Sequence, residues 1–118
     1  MSRVTVISLP ILFSVVIACP AKAEEDFLTG SVLYLSCSDK NNQTNQYMCD
    51  YWIKGFLDGV WIATQRKSTL PVCLPDAFTG KQARPVIEKY MRGHPAMLHL
   101  PAGGIALLAL VEAFPCKK

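Results

Sequence analysis

The chain has 118 residues, with twelve lysines and arginines against nine aspartates and glutamates, and 51% of it is hydrophobic. Its basic residues are scattered rather than gathered into a stripe, which excludes the electrostatic footprint of a nucleic-acid binder. The length suits one domain, on the small side for a core that must hold without covalent help.

The opening stretch, MSRVTVISLPILFSVVIACPAKA, joins a short basic start at Arg3 to an apolar run from Val4 to Ala18 and a small-x-small ending at Ala21, Lys22 and Ala23. This is the pattern of a secretory signal peptide, residues 1–23. The run is too short, and too interrupted by Pro10 and Ser14, to cross a bilayer. A rival reading takes Val16, Ile17, Ala18 and Cys19 as a lipobox, which would lipidate Cys19 and tether the protein to a membrane. Valine at the head of that box and Pro20 after the cysteine favour cleavage after Ala23. A single domain, 24–118, then remains, in which ten basic residues face nine acidic ones and the net charge falls to about +1.

Four helical segments follow. In EEDFLTGSVLYLSC, Leu28, Val32 and Leu35 recur at helical intervals, with acids in the first turn where the helix dipole favours them. A polar stretch, Ser38 to Gln46, breaks the pattern. In YMCDYWIKGFLDGVWIA, Asp50, Lys54 and Asp58 fall four apart on a charged stripe, while Trp52, Ile53, Phe56 and Val60 turn inward. Gly55 and Gly59 each cost a helix about 1 kcal/mol relative to alanine, so a close approach by another helix is expected at that step. TGKQARPVIEKYMRGHP opens on a capping box, Thr79 to Gln82, and stops at Gly93 and Pro95. Pro85 removes an internal hydrogen bond, so this helix is either kinked or regular only from Pro85 onward. The last segment, LPAGGIALLALVEAF, carries no charge before Glu112 and is apolar nearly all round. It is too short to span a membrane and reads as a buried central helix. The fold class is all-α, a small disulfide-stapled bundle of four or so helices.

Beyond the leader stand four cysteines, Cys37, Cys49, Cys73 and Cys116. An even count in a small secreted chain implies two disulfides, with three possible connectivities. Zinc is the rival, but there is no Cys-x-x-Cys pair, and His94 and His99 do not lie at finger spacing. Helices joined by short loops prefer antiparallel neighbours. Cys37 then ends the first helix where Cys49 opens the second, while Cys73 and Cys116 follow the second and fourth helices at the opposite end. The expected bridges are Cys37–Cys49 and Cys73–Cys116, and the latter anchors the C-terminal tail.

The run of Cys49, Tyr51, Gly55 and Asp58, then VCLPDAFTGKQ, YMRGHP and the AL…AFPC ending resembles the Rap/Tai family of periplasmic immunity proteins of the type VI secretion system, in order and spacing from about Asp26 to Cys116. The resemblance implies a small α-helical, disulfide-bonded periplasmic protein, often a dimer. Such a protein binds and blocks a peptidoglycan-degrading amidase effector delivered by a neighbouring cell.

No catalytic constellation competes with this: there is no nucleophile beside a base and no paired carboxylates at a recognisable spacing. The protein is expected to be no enzyme and to need no cofactor or metal. His94 and His99 read as loop or capping histidines, and Asp58 as part of a solvated or paired helix face rather than a buried acid. Asn42 opens an Asn-Gln-Thr sequon, which has no other eukaryotic feature beside it. Candidate partner-binding residues are Asp39, Lys40, Asn42, Gln43 and Asn45, on a polar loop tied at its base by the first bridge, and His94, Met97 and His99 on the loop from Arg92 to Leu100. Tying the loop lowers the entropy cost of docking, although both loops also serve as connectors. The glycine step and the apolar last segment exceed what a monomer of this size needs to bury, so a two-fold homodimer is expected. Two classes of function stay open: an inhibitor that plugs the groove of an amidase, and a small envelope helper or stress chaperone with no cognate toxin. Two staples oppose the loosening such a chaperone uses to expose apolar surface, which favours the inhibitor.

Overall fold

A threonine hydroxyl or an asparagine carbonyl stands at the start of three of the four helices. The computed structural model describes residues 27–66 and 69–117. It contains α1 (Gly30–Ser38), α2 (Gln43–Gln65), α3 (Gly80–Gly93), a 3₁₀ turn (Pro95–Met97) and α4 (Ala102–Ala113). Thr29 caps α1 by accepting from the Val32 N–H, and Asn42 caps α2 by accepting from the Asn45 N–H at 3.1 Å. Thr79 caps α3 with a complete capping box, in which the Gln82 side chain accepts from the Thr79 N–H at 2.9 Å. Among the described residues there is no strand ladder, and two isolated antiparallel bridges, Thr29–Pro101 and Val72–Pro115, tie loop ends together. The expected all-α, doubly stapled bundle is the observed one.

Both disulfides join the expected partners, Cys37 to Cys49 and Cys73 to Cys116. The core combines Leu33 and Cys37 of α1, Cys49, Ile53, Leu57 and Val60 of α2, Ala83, Ile87 and Met91 of α3, and Ile105, Ala106 and Leu110 of α4, with Val72 beneath the second staple. Full burial of each large apolar side chain contributes roughly 1.5–3 kcal/mol.

Several details depart from the sequence reading. Glu24, Glu25 and Asp26 lie outside the described residues, as do the signal-peptide cleavage site and Cys19, and α1 carries no acid in its first turn. Its buried stripe runs through Gly30, Leu33 and Cys37 rather than Val32 and Leu35, which are exposed. One helical turn admits two apolar stripes here, and the disulfide and Gly30 select between them. Gly55 and Gly59 meet no other helix: a Cβ added at either finds nothing within 4 Å. They lie about 200° around α2 from Ile53 and Leu57, the residues that face the core. The close approach occurs at Gly30 instead, where a Cβ would run into Ile105 and the Leu98 backbone.

Helix α3 is continuous from Gly80 through Pro85 to Gly93, so the regular part does not begin at the proline. Nor is α4 the buried centre. It packs on α1 and α3, whereas α1 and α3 each pack on all three other helices. Leu108, Gly104 and Glu112 of α4 are exposed, because its buried Ala102, Ala106 and Ala109 allow close packing on one side while leaving the other uncovered. The ends of α1 and α4 are sewn together by the Gly30 N–H donating to Leu100 O at 2.9 Å and the Ala102 N–H donating to Leu28 O at 2.7 Å.

Candidate functional site

Helix α1 ends after nine residues, leaving carbonyls that nothing within the helix can satisfy. Three side chains from elsewhere converge on them. Arg84 of α3 donates from Nη2 to Cys37 O at 3.0 Å, Lys40 donates from Nζ to the same oxygen at 2.8 Å, and Gln46 of α2 donates from Nε2 to Asp39 O at 2.7 Å. Arg84 also donates to Glu88 (2.7 Å), Asp50 (2.6 Å) and Gln46 Oε1 (2.5 Å), and Lys40 pairs with Glu88 at 3.3 Å. The Arg84 side chain is only 16% exposed. Partial burial disfavours its charge, but the hydrogen bonds to Glu88 and Asp50 and the attraction of both carboxylates outweigh that, and its pKa is raised. Among the described residues, all three ion pairs belong to this knot.

The candidate polar loop is shorter than its sequence suggests. Because α2 begins at Gln43, only residues 39–42 connect the helices, while Gln43 and Asn45 lie in the first turn of α2. Asp39 accepts from Asn45 Nδ2 at 3.0 Å, and Gln43 donates to the Tyr47 hydroxyl at 2.9 Å. Asn41, Asn42, Gln43 and Thr44 stay exposed. The result is a polar tip whose base is fixed by the Cys37–Cys49 bridge and the Arg84 knot.

The second candidate segment packs on α3. His94 ends that helix, stacks on Tyr90 with ring centroids 4.0 Å apart and hydrogen-bonds through Nδ1 to Tyr90 O at 2.8 Å. The Tyr90 hydroxyl donates to Met97 Sδ at 3.9 Å, and exposed His99 bonds through Nδ1 to Ala96 O at 2.9 Å. Both histidines thus serve as local backbone partners. The two candidate segments belong to different parts of the bundle, one at the α1–α2 connection, tied to α3 by Lys40 and Glu88, and one between α3 and α4, tied to the start of α1 by Ser31 and Gly30, which donate to Leu98 O and Leu100 O.

Sequence reasoning missed Arg84, Gln46 and Glu88. The four-residue spacing of Arg84 and Glu88 was the available signal, but their link to Asp50 and the end of α1 is tertiary. The charged stripe of Asp50, Lys54 and Asp58 was expected to be solvated or paired; Asp50 is paired, with Arg84, and Lys54 lies over the Tyr51 ring at 5.1 Å. The Cys37 and Cys49 sulfurs and a Glu88 oxygen lie within 4.8 Å of one another. The sulfurs are bonded to each other, so they are not the thiolates that ligate metals, and Glu88 is engaged by Arg84 and Lys40.

This stapled helical unit coincides with the extent of a family match. The model of the Rap1a immunity proteins matches residues 29–116, from the cap of α1 to the last disulfide cysteine. The chain belongs to the Rap1a immunity protein family. No curated protein and no solved structure matches it. Membership in the Rap1a family points to an effector-immunity role in type VI secretion and to a cognate effector as binding partner. Its two disulfides fit an oxidising compartment. Among the described residues no helix is long and apolar enough to cross a membrane.

Proposed function

We propose that this Rap1a family member is exported by its leader, residues 1–23, and acts in the periplasm as an immunity protein. There it binds a peptidoglycan amidase delivered by type VI secretion and occludes its active-site groove. The observation that carries the reading is the family match over the whole stapled unit, residues 29–116. Occlusion needs shape and a few desolvated anchors rather than chemistry. The tip around Asp39, Lys40, Asn42, Gln43 and Asn45 suits that task, because its base is already ordered by a disulfide and the Arg84 knot and little further entropy is lost on docking. The His94–Met97–His99 turn is the second candidate contact. The protein works as a homodimer in this proposal, and the exposed α2 face bearing Tyr51, Gly55, Gly59 and Ile62 is the surface available for it.

Co-production in the periplasm with the amidase encoded beside it should rescue growth, whereas a cytoplasmic form lacking residues 1–23 should not. Failure of the periplasmic form to protect, together with no binding to that amidase in solution, would replace immunity with the envelope-helper function.

A further inference from the structure

The segment VCLPDAFTGKQ lies away from both candidate loops and walls a groove that the proposed contacts leave unused. Leu57, Asp58 and Trp61 of α2 form one side, Leu74, Asp76 and Phe78 the other, around a volume of ≈ 580 Å³. That is within the range of about 300–1,000 Å³ typical of ligand-binding clefts. We infer that this groove is a recognition site for a basic side chain, a lysine or arginine flanked by apolar residues on a projecting segment of a partner protein.

Charge selects the occupant. Asp58 and Asp76 are exposed, neither forms an ion pair with any described residue, and none of the described residues lining the groove is a lysine, arginine or histidine. Trp61, which lines the same groove, is 63% exposed. Its ring is the best side-chain face for a cation, which is held more strongly as water is displaced. Leu57, Leu74 and Phe78 supply the apolar surface for the stem and flanks of such a side chain.

The far wall is built to keep its shape. Cys73 is bridged to Cys116 and donates its N–H to Phe114 O at 2.9 Å, and Phe78 packs edge-on against Phe114 at 4.9 Å. Ala77 is held at φ 56°, the left-handed region that costs a non-glycine residue roughly 1–2 kcal/mol. Such a conformation persists only where its surroundings over-determine it. Here the staple and the two phenylalanines fix the turn that places Asp76 opposite α2.

The inference rests on the immunity reading only for the protein that carries the cation; the groove chemistry stands apart from it. The test therefore uses a defined probe. N-acetyl-Leu-Arg-Leu-amide is titrated into isotope-labelled, oxidised protein purified from the periplasm, alongside the matched citrulline peptide, and amide and indole shifts are followed by NMR. Shifts should localise to the Trp61 indole and to residues 72–78. The arginine peptide should bind about fivefold tighter or more, a preference in keeping with exposed charge pairs. That preference should vanish in D58N/D76N and weaken with salt. Equal affinity for the two peptides, shifts confined to other surfaces, no shift up to about 20 mM peptide, close to the weakest measurable affinities, or a preference that survives D58N/D76N would each overturn the inference. A groove that selects arginine while growth rescue fails would remove immunity alone; the converse would remove the groove alone.

Discussion

Arg84→Met separates the work of the guanidinium from that of the side-chain stem. Methionine keeps an unbranched apolar stem but removes four hydrogen bonds, to Glu88, Asp50, Gln46 and Cys37 O. Hydrogen bonds to charged groups contribute about 1.5–3 kcal/mol each, and they are not additive within one network. Asp50 is 47% exposed and rehydrates at little cost. Glu88 is 13% exposed and keeps only Lys40, while Cys37 O loses one of its donors. The expected loss is therefore about 2–4 kcal/mol, below the sum of four bonds but above a surface pair. In a domain of this size each kcal/mol moves the midpoint by roughly 4–8 °C, so Tm should fall by about 10–25 °C. Urea and thermal unfolding with disulfides intact would measure this, with E88Q and R84M/E88Q completing a cycle whose coupling should reach about 1–3 kcal/mol. A loss under about 1 kcal/mol, or additive single variants, would refute the knot as the clamp on α1. The pKa of Arg84 is raised in the folded state, so its stabilisation is complete below the ordinary arginine range and is lost only as pH rises above it. Its own titration adds no pH dependence near neutrality.

The two staples should differ in strength. Sequence separations of 43 and 12 correspond to about 4 and 3 kcal/mol of unfolded-chain entropy, so C73A/C116A should cost more than C37A/C49A in urea titrations, and the reverse order would show that packing around the buried first bridge dominates. Gly55→Ala and Gly59→Ala should each stabilise dilute protein by about 1 kcal/mol, since nothing lies where the methyl would go. Gly30→Ala should destabilise it by about 1–3 kcal/mol through overpacking on Ile105. If α2 carries the dimer face, sedimentation should show a dimer at high micromolar concentration that G55A/G59A weakens, and a monomer throughout would remove the dimer.

The residues most legible in the sequence are those whose information is local or topological. Thr79 and Gln82 announced α3 through a capping box, and the cysteine pairing followed from which end of an antiparallel bundle each helix reaches. Less legible was which face of a helix turns inward. Val32 and Leu35 are as apolar as Leu33, and only contact with α2, α3 and α4 chooses between them. Helix α4, apolar but for Glu112, was misplaced at the centre because its composition leaves almost no polar face to read, while Ala102, Ala106 and Ala109 pack on one side. The Arg84 knot was invisible because it joins Cys37, Gln46, Asp50 and Glu88 across three helices.

The two ends of α2 are built from similar parts to opposite electrostatic effect. At its N-terminal end every charge of the knot is answered within the chain: Arg84 and Lys40 face Asp50 and Glu88, and no buried polar side-chain atom among the described residues lacks a partner. A partner docking there meets a knot whose charges are already paired, so affinity must come from shape, from the exposed amides of Asn41, Asn42 and Gln43, and from the Asp39 carboxylate, which bonds to the Asn45 amide. At the C-terminal end, Asp58 of α2 and Asp76 of the stapled loop have no counter-ion among the described residues and share a groove with an exposed tryptophan. Unanswered charge on a rigid wall discriminates between partners more sharply than satisfied charge does, because a wrong partner leaves it desolvated and unpaired. The tip, with its knot already paired, therefore suits docking chiefly by shape and amides, whereas the acidic groove suits selection among partners by a single cation.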